Sequence, residues 1–241
     1  VDHLEVRRGA VRRLLRSGLL PRAAGVIVNG AGGAAYIRPF AVPVERITSI
    51  PQTTAIEDFM AVPLARAHED RRRMLVVGSI SERKGVRPLL DGLIRLAERD
   101  PERRMELVLA GDGPARAGLM QMQLPSNLRV AWVGHVNYND LPWYYARAGL
   151  LVFPTLGDEW GLVVNEALAA GLPVLGSRYS QAVEELVQDG VNGWVMTPDS
   201  PDEIARAIAR ALGTSDDALA DMRAAARASV AALTPRAIAD R

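Results

Sequence analysis

Short, almost wholly apolar runs alternate with longer amphipathic stretches along most of this chain. The apolar runs predict strands at residues 75–77, 107–110, 130–133, 150–153 and 174–175, with 194–196 as a shorter candidate. The amphipathic stretches predict helices near residues 86–99, 114–123, 139–147, 161–170, 179–188 and 201–212. Strands without polar alternation are buried on both faces, and intervening helices make a sheet parallel. The pattern therefore predicts an α/β fold with a Rossmann-like, doubly wound parallel sheet.

The first 50 residues lack the regular alternation of apolar runs and amphipathic stretches. We therefore predict that they form a separate unit. Residues 4–17 predict a basic helix, followed by a strand at 24–28, a short helix and a second strand at 46–50. Prolines and a charge cluster are typical of a linker. The predicted units are a partial N-terminal segment at 1–50, a linker at 51–72, a sheet domain at 73–232 and the start of a helix at 233–241. Because the chain begins with Val and stops inside that helix, which Thr234 caps, we expect both ends to be cut.

The residues that follow the strand at 150–153 carry the most informative chemistry. Asp158 and Glu159 lie in a loop, Gly161 begins a helix, and Glu166 lies in that helix. A helix N-terminus offers unpaired N–H groups that suit a phosphate, and glycine lets an anion approach closely. Asp158 and Glu166 can then accept hydrogen bonds from hydroxyls on either side of a diphosphate, as a nucleotide sugar presents them. The alternative is an N-capping Asp and an exposed helical Glu.

A second candidate site follows the strand at 75–77. The chain has 29 Lys plus Arg residues, and only one of them, Lys84, is lysine. In a chain that uses Arg wherever charge suffices, as a GC-rich bacterial genome favours, a retained lysine indicates a need for a compact ammonium group. Its loop, which contains Gly78, Ser79 and Arg83, lies at a strand's carboxyl end, where ligands of open α/β sheets bind. Lys84 can therefore face the same crevice as Gly161; the alternative is an ordinary exposed lysine.

The run from residue 158 to residue 174 resembles the donor-site motif of the retaining glycosyltransferases of family four. That motif begins and ends with glutamate, whereas Asp158 stands first here, with Glu159 beside it. The resemblance implies that Glu166 holds the donor ribose, that Asp158 reaches the transferred sugar and that Lys84 binds the diphosphate. Where the family usually has an Arg diphosphate contact, this chain has Ser79, and Arg83 is the candidate substitute.

The resemblance also implies a GT-B fold, in which two Rossmann-like domains face each other across a cleft. Residues 1–50 resemble the tail of the N-terminal, acceptor-side domain, and the rest resembles nearly all of the donor-binding domain. The implied reaction is sugar transfer from a nucleoside diphosphate sugar with retention of configuration. Lys84, with Arg83 and the N–H groups of Gly161, Leu162 and Val163, would stabilise the charge that develops on the β-phosphate. No metal or other cofactor is expected if these groups neutralise the diphosphate.

Several other functions remain open. The chain can be a non-catalytic nucleotide-sugar-binding subunit that needs an acceptor-domain partner chain. A distant alternative is an NAD-dependent oxidoreductase, because residues 30–35 match G-x-G-x-x-A. The next strand lacks the acidic residue of that fingerprint, so a flexible turn before a short helix is favoured. A glycosidase would use Asp158 and Glu166 but leaves Lys84 unexplained. The acceptor is an unknown sugar, lipid or small molecule.

The composition of the chain limits the classes of partner and the cellular location that we expect. A net charge of +1 implies no nucleic-acid partner, and the absence of cysteine favours a cytoplasmic protein. Only three histidines are present, and no metal cluster is visible. Arg8, Arg12 and Arg16 share a helical face, which is either solvated or a peripheral contact with the inner face of the membrane.

Two further groups of residues are candidates for a role or for simple packing. Gly134 and His135 follow the strand at 130–133 and either border the nucleotide base or form a turn. The aromatic run at 143–145 lies in the middle of a predicted helix and is expected to pack in the core.

Overall fold

The structure, a computed structural model, describes residues 10–240 and the side chains of residues 12–240. Its strands are β1 (Val26–Val28), β2 (Ile47–Ser49), β3 (Met74–Val77), β4 (Met105–Ala110), β5 (Leu128–Gly134), β6 (Leu150–Phe153), β7 (Val174–Ser177) and β8 (Gly193–Met196). Its α-helices are α1 (Ala10–Leu19), α2 (Gly30–Ile37), α3 (Glu57–Met60), α4 (Val86–Arg99), α5 (Arg116–Leu119), α6 (Leu141–Ala146), α7 (Leu162–Ala169), α8 (Gln181–Leu186), α9 (Pro201–Leu212), α10 (Asp216–Val230) and α11 (Pro235–Ala239).

The strands β3 to β8 form one parallel sheet in the order β5-β4-β3-β6-β7-β8. The chain builds outward from β3 to β5, returns to the other side of β3 at β6, and continues to β8. This reversal confirms the predicted doubly wound fold. It also places β3 and β6 side by side where their following loops diverge, and such a switch point leaves a crevice at the carboxyl ends of the strands.

Helices cover both faces of this sheet. One core cluster joins alternate strand residues such as Met74 and Val76 to α4 and α9. The other joins Leu75 and Leu151 to α7 and α3. Because successive strand residues point to opposite faces and both faces are covered, these strands need apolar residues throughout. Double-sided burial is thus the reason for the uninterrupted apolar runs in the sequence.

Most predicted helices are present, and two of them have the predicted bounds. The helices α4 and α9 coincide with the predictions at 86–99 and 201–212. The predicted helix at 114–123 is wrong in length, since α5 has only four residues. Gly118 inside it and Pro125 beyond it disfavour a longer helix. The predicted helix start at Thr234 is present: Thr234 Oγ1 accepts a hydrogen bond from the N–H of Ala237 (3.1 Å) at the start of α11.

The N-terminal residues form a small unit in which α2 connects the parallel strands β1 and β2. The predicted helix at 4–17 lies partly outside the described residues, as does Arg8. Arg16 does not simply face solvent, because its guanidinium carbon lies 5.4 Å from the centre of the Tyr36 ring. No helix within residues 10–240 is long and apolar enough to cross a membrane.

The glycine-rich run at 30–35 is part of α2, and the prediction of a flexible turn there is wrong. The N–H of Ala31 donates a hydrogen bond to Glu185 Oε1 at 2.5 Å. A Cβ on Gly30, whose φ is +56°, would lie 1.6 Å from the same oxygen. The positive φ favours glycine here, and the flexible Glu185 side chain of α8 places its carboxylate at the positive end of α2.

The segment predicted as a linker, 51–72, packs against the sheet domain. Ile56, Phe59 and Val62 are buried in the cluster that also contains α7. Arg66 donates hydrogen bonds to the backbone oxygens of Ala148 (3.0 Å) and Ala170 (2.9 Å). The segment is thus part of the packed structure around β6 and α7, while the division of the chain into domains stays a prediction.

Gly85 is a position where a single methyl group is expected to cost substantial stability. Its φ is +68°, and an added Cβ would lie 2.0 Å from the backbone oxygen of Pro154 in the loop after β6. We expect Gly85→Ala to lower the free energy of unfolding by about 2–4 kcal/mol, from strain and steric overlap. Urea denaturation measures this change. Gly118→Ala, where an added Cβ meets open space, is the matched control; equal stability of the two variants would contradict the prediction.

Candidate functional site

Lys84 and Asp158 meet at the crevice between the loops that follow β3 and β6. Lys84 Nζ lies 2.5 Å from Asp158 Oδ2 and 5.4 Å from the centre of the Phe153 ring. The side chains are 22% and 14% exposed, so the ion pair lies at an opening and not in the core. The structure thus brings together a cation and a carboxylate that the sequence placed in separate loops.

Backbone contacts tie the two loops together beside this pair. The backbone oxygen of Arg83 accepts hydrogen bonds from the N–H of Leu156 (2.8 Å) and from Thr155 Oγ1 (3.2 Å). The Arg83 side chain donates to the oxygen of Gly157 at 2.7 Å, and its closest nitrogen is 3.9 Å from Asp158. Arg83 therefore braces the loop after β6 and contacts the site only at its border.

The start of α7 faces the same crevice. Gly161 is its N-cap residue with φ +107°, and no side chain caps the helix. A Cβ on Gly161 would lie 2.7 Å from Phe153 Cε1. The N–H groups in the first turn of a helix have no intrahelical acceptor, so those of Leu162 and Val163 are available as donors. A helix start of this kind suits an anion, and the binding of a phosphate here stays a prediction.

Glu166 is buried, and the alternative of an exposed helical glutamate is wrong. The residue is 5% exposed, and Tyr145 donates its hydroxyl hydrogen to Glu166 Oε2 at 2.9 Å. Burial raises the pKa of the Glu166 carboxyl, whereas the hydrogen bond from Tyr145 opposes that rise. Burial, followed by the adjacent Glu166, raises the pKa of the Tyr145 hydroxyl well above its usual value.

The prediction that residues 143–145 pack in the core holds only in part. Tyr145 is fully buried, but Trp143 is 58% exposed. The Trp143 ring instead packs against Arg147, whose guanidinium carbon lies 5.0 Å from the ring centre. The hydrogen bond between the Tyr145 hydroxyl and Glu166 was not predicted from the sequence. The available signal was that a buried tyrosine usually has a hydrogen-bond partner.

A buried chain of hydrogen bonds, also missed in the sequence, holds the loop before α7. Trp160 Nε1 donates to Asn165 Oδ1 at 2.9 Å, and Asn165 Nδ2 donates to the backbone oxygen of Gln52 at 3.2 Å. Trp160 and Asn165 are 1% and 0% exposed. These two hydrogen bonds fix the loop that carries Asp158 against both α7 and the 51–72 segment.

The remaining predicted residues lie at or after the carboxyl ends of β3, β5 and β6. Gly78 and Gly134 have positive φ values, and an added Cβ at either would meet open space. Ser79, His135 and Glu159 are exposed. Within residues 10–240, no group of three or more His, Cys, Asp or Glu side chains is arranged to hold a metal ion.

Comparison with known proteins identifies the family to which this architecture belongs. Residues 71–214 match the family described as Glycosyl transferases group 1, over more than half of the chain. The chain belongs to this family. The matched segment of this group 1 glycosyltransferase contains both loops of the crevice, with Lys84 and Asp158, and the whole of α7.

Curated relatives agree with this membership. An uncharacterized glycosyltransferase of Methanocaldococcus jannaschii is 33% identical over 146 residues, which cover 60% of this chain and 36% of the relative. Alpha-D-kanosaminyltransferase of Streptomyces kanamyceticus is 32% identical over 146 residues, with 60% and 37% covered. The matched part thus spans little more than a third of these relatives' lengths.

Solved structures of glycosyltransferases share the parallel α/β architecture of this chain. Sucrose-phosphate synthase of Thermosynechococcus elongatus is similar with a TM-score of 0.76 at 28% identity, covering 99% of this chain and 61% of that one. HepE of Anabaena in complex with UDP has a TM-score of 0.75 at 21% identity, covering 93% and 64%. At 21% identity, the similarity to HepE concerns the fold alone.

Proposed function

We propose that this group 1 glycosyltransferase binds a nucleoside diphosphate sugar and takes part in its transfer to an acceptor with retention of configuration, as a member of family four. The observation that carries the proposal is the meeting of Lys84 and Asp158 beside the Phe153 ring, against which the uncapped start of α7 also lies, with Glu166 further along the same helix. The UDP complex of the Anabaena neighbour supports a diphosphate ligand for this fold.

The order of groups along the crevice matches the order of groups in the donor. Glu166 accepts hydrogen bonds from the ribose hydroxyls, because its carboxylate favours hydroxyl donors. The N–H groups of Leu162 and Val163 hold the diphosphate at the positive end of α7. Asp158 orients the sugar on the far side. Donor binding would exchange the Lys84–Asp158 ion pair for a Lys84–phosphate contact, which frees the carboxylate for sugar hydroxyls.

In the chemical step, negative charge develops on the β-phosphate oxygen, close to the Lys84 ammonium. The bond between the anomeric carbon and the β-phosphate oxygen breaks, and its electron pair stays on that oxygen. Lys84 and the α7 N–H groups stabilise this charge as it develops, with Arg83 at the border. The acceptor hydroxyl attacks from the leaving-group side and passes its proton to the departing β-phosphate oxygen, so the anomeric configuration is retained. The proposed groups neutralise the diphosphate without a metal ion.

Calorimetric titration tests the proposal. We expect one of UDP, GDP and ADP to bind, and its sugar conjugate to bind as well. NMR of the product, where transfer occurs with an added acceptor, should give the same anomeric configuration as the donor. Binding without transfer would favour the nucleotide-sugar-binding subunit. Binding of NADH with none of the three diphosphates would overturn the proposal.

A further inference from the structure

The two carboxylate oxygens of Glu166 have different environments. Oε2 accepts the hydrogen bond from Tyr145. Among residues 10–240, no other side chain or backbone N–H donates to this carboxylate, and neither oxygen is sealed off without a partner. Oε1 is therefore the oxygen that remains open to an outside hydroxyl.

Tyr145 itself is held rigidly from the other side. Its ring meets the Phe59 ring edge-on, with centres 5.2 Å apart and an interplanar angle of 84°. Phe59 is fully buried in the 51–72 segment, and it also meets the Tyr138 ring at 5.7 Å. Tyr145 is fully buried between this ring and Glu166, so its hydroxyl is a well-positioned donor.

We infer that Tyr145 is a positioning residue that aims Glu166 at the donor ribose by occupying Oε2 and leaving Oε1 to the hydroxyls. The inference rests on the proposed function, because it assumes that Glu166 holds a ribose. A carboxylate that is fixed before binding loses less rotamer freedom on binding. Without the hydroxyl, Glu166 would rotate, and its accepting oxygens would no longer be presented in one direction.

The same contact also keeps the carboxylate ionised. Burial raises the pKa of Glu166, and the Tyr145 hydrogen bond lowers it, so removal of the hydroxyl raises the pKa further. Only the ionised form accepts hydrogen bonds at both oxygens. Affinity for the ribose is therefore present above the pKa of Glu166 and lost as the pH falls through it. That loss should begin at a higher pH when the hydroxyl is absent.

The titratable groups packed near Glu166 are few within the described residues. Besides Tyr145, the nearby Tyr138 interacts with Glu166 electrostatically, and Glu57 and Asp58 of α3 act on Tyr138. Burial raises the pKa of the Tyr138 hydroxyl, so it stays neutral across the acidic range. Protonation of the ligand's terminal phosphate at about pH 6 is common to wild type and variant, so the difference between their acidic limbs should follow Glu166.

The test is Tyr145→Phe, which removes one oxygen atom, with Tyr144→Phe on the same helix as the control. The nucleoside diphosphate among UDP, GDP and ADP that binds the wild type is titrated from alkaline to mildly acidic pH. We expect Tyr145→Phe to bind it about tenfold more weakly, the scale of one hydrogen bond to a charged group, and the deficit to grow as the pH falls. Tyr144→Phe should match the wild type.

A ligand control separates positioning from general damage. The corresponding 2′,3′-dideoxynucleoside diphosphate lacks the ribose hydroxyls, so Tyr145→Phe and the wild type should bind it equally well. If Tyr145→Phe does not fold, carbon NMR of Glu166 in the wild type serves instead. Fluorination of Tyr145 makes its hydroxyl a stronger donor, so the titration of Glu166 should shift to lower pH. An unchanged titration would show that the bond is absent and would overturn the inference.

The outcomes distinguish this inference from the proposed function. If the wild type binds none of the three diphosphates, the proposed function fails. If the wild type binds one of them, Glu166→Gln weakens that binding, and Tyr145→Phe has the wild-type affinity and pH profile, the inference alone is overturned. An equal loss of affinity for the ribose and dideoxy ligands would also overturn it.

Discussion

Replacing Lys84 by alanine is expected to reduce turnover or donor affinity far more than replacing Arg83 by alanine. The Lys84 ammonium lies in the crevice beside Asp158 and Phe153, whereas the Arg83 guanidinium is braced on the oxygen of Gly157 and is 45% exposed. Removal of a group that stabilises developing charge costs on the order of 10²–10³ in turnover. We expect Lys84→Ala to reach that range and Arg83→Ala to stay well below it.

The two variants form a matched pair, because each removes one positive charge from the same loop. Calorimetry gives donor affinity for both, and steady-state kinetics gives turnover where transfer is detected. Thermal denaturation shows whether Arg83→Ala weakens the loop that it braces. Equal and negligible effects of the two substitutions would count against the assignment of the diphosphate to this crevice.

Gly161→Ala is expected to have the second largest effect on donor binding. The added Cβ would lie 2.7 Å from the Phe153 ring and 3.2 Å from Ser180 Oγ, at a φ of +107°. A side chain there costs about 1–3 kcal/mol in strain and moves the first turn of α7. Since the diphosphate would contact the N–H groups of that turn, we expect affinity to fall by roughly ten- to a hundredfold.

Affinity for the diphosphate and circular dichroism together measure this effect. A folded Gly161→Ala protein with wild-type affinity would show that the start of α7 does not hold the phosphates. The Gly118→Ala protein again serves as the control, because its added methyl group meets open space.

The sheet and the position of the crevice were predictable because each depends on local sequence patterns. Burial on both faces requires uninterrupted apolar runs. The positions of β3 and β6 in the sequence can therefore be recognised without knowledge of the neighbouring strands. The carboxyl ends of parallel strands meet at one edge, so the loops with Lys84 and Asp158 were expected to share a hollow. Their contact across the crevice confirms that expectation of geometry, while their roles stay predictions.

The supporting contacts were not predictable because they join distant residues without a periodic signal. Tyr145 and Glu166 are 21 positions apart, and Asn165 reaches Gln52 across 113 positions. The 51–72 segment has the prolines and charges of a linker, yet its apolar side chains at three spaced positions fill the core beside α7. The exposure of Trp143 was missed for a related reason: the aromatic run does not reveal which ring faces the sheet.

The most direct measurement is a crystal structure of the protein with UDP and, in parallel, with GDP and ADP. We predict density for the diphosphate between Lys84 Nζ and the N–H groups of Leu162 and Val163, with the ribose hydroxyls on Glu166. A nucleotide bound at the glycine-rich start of α2 instead, or one that leaves Lys84 paired with Asp158 and out of reach, would contradict the assignment of this crevice to a nucleotide sugar.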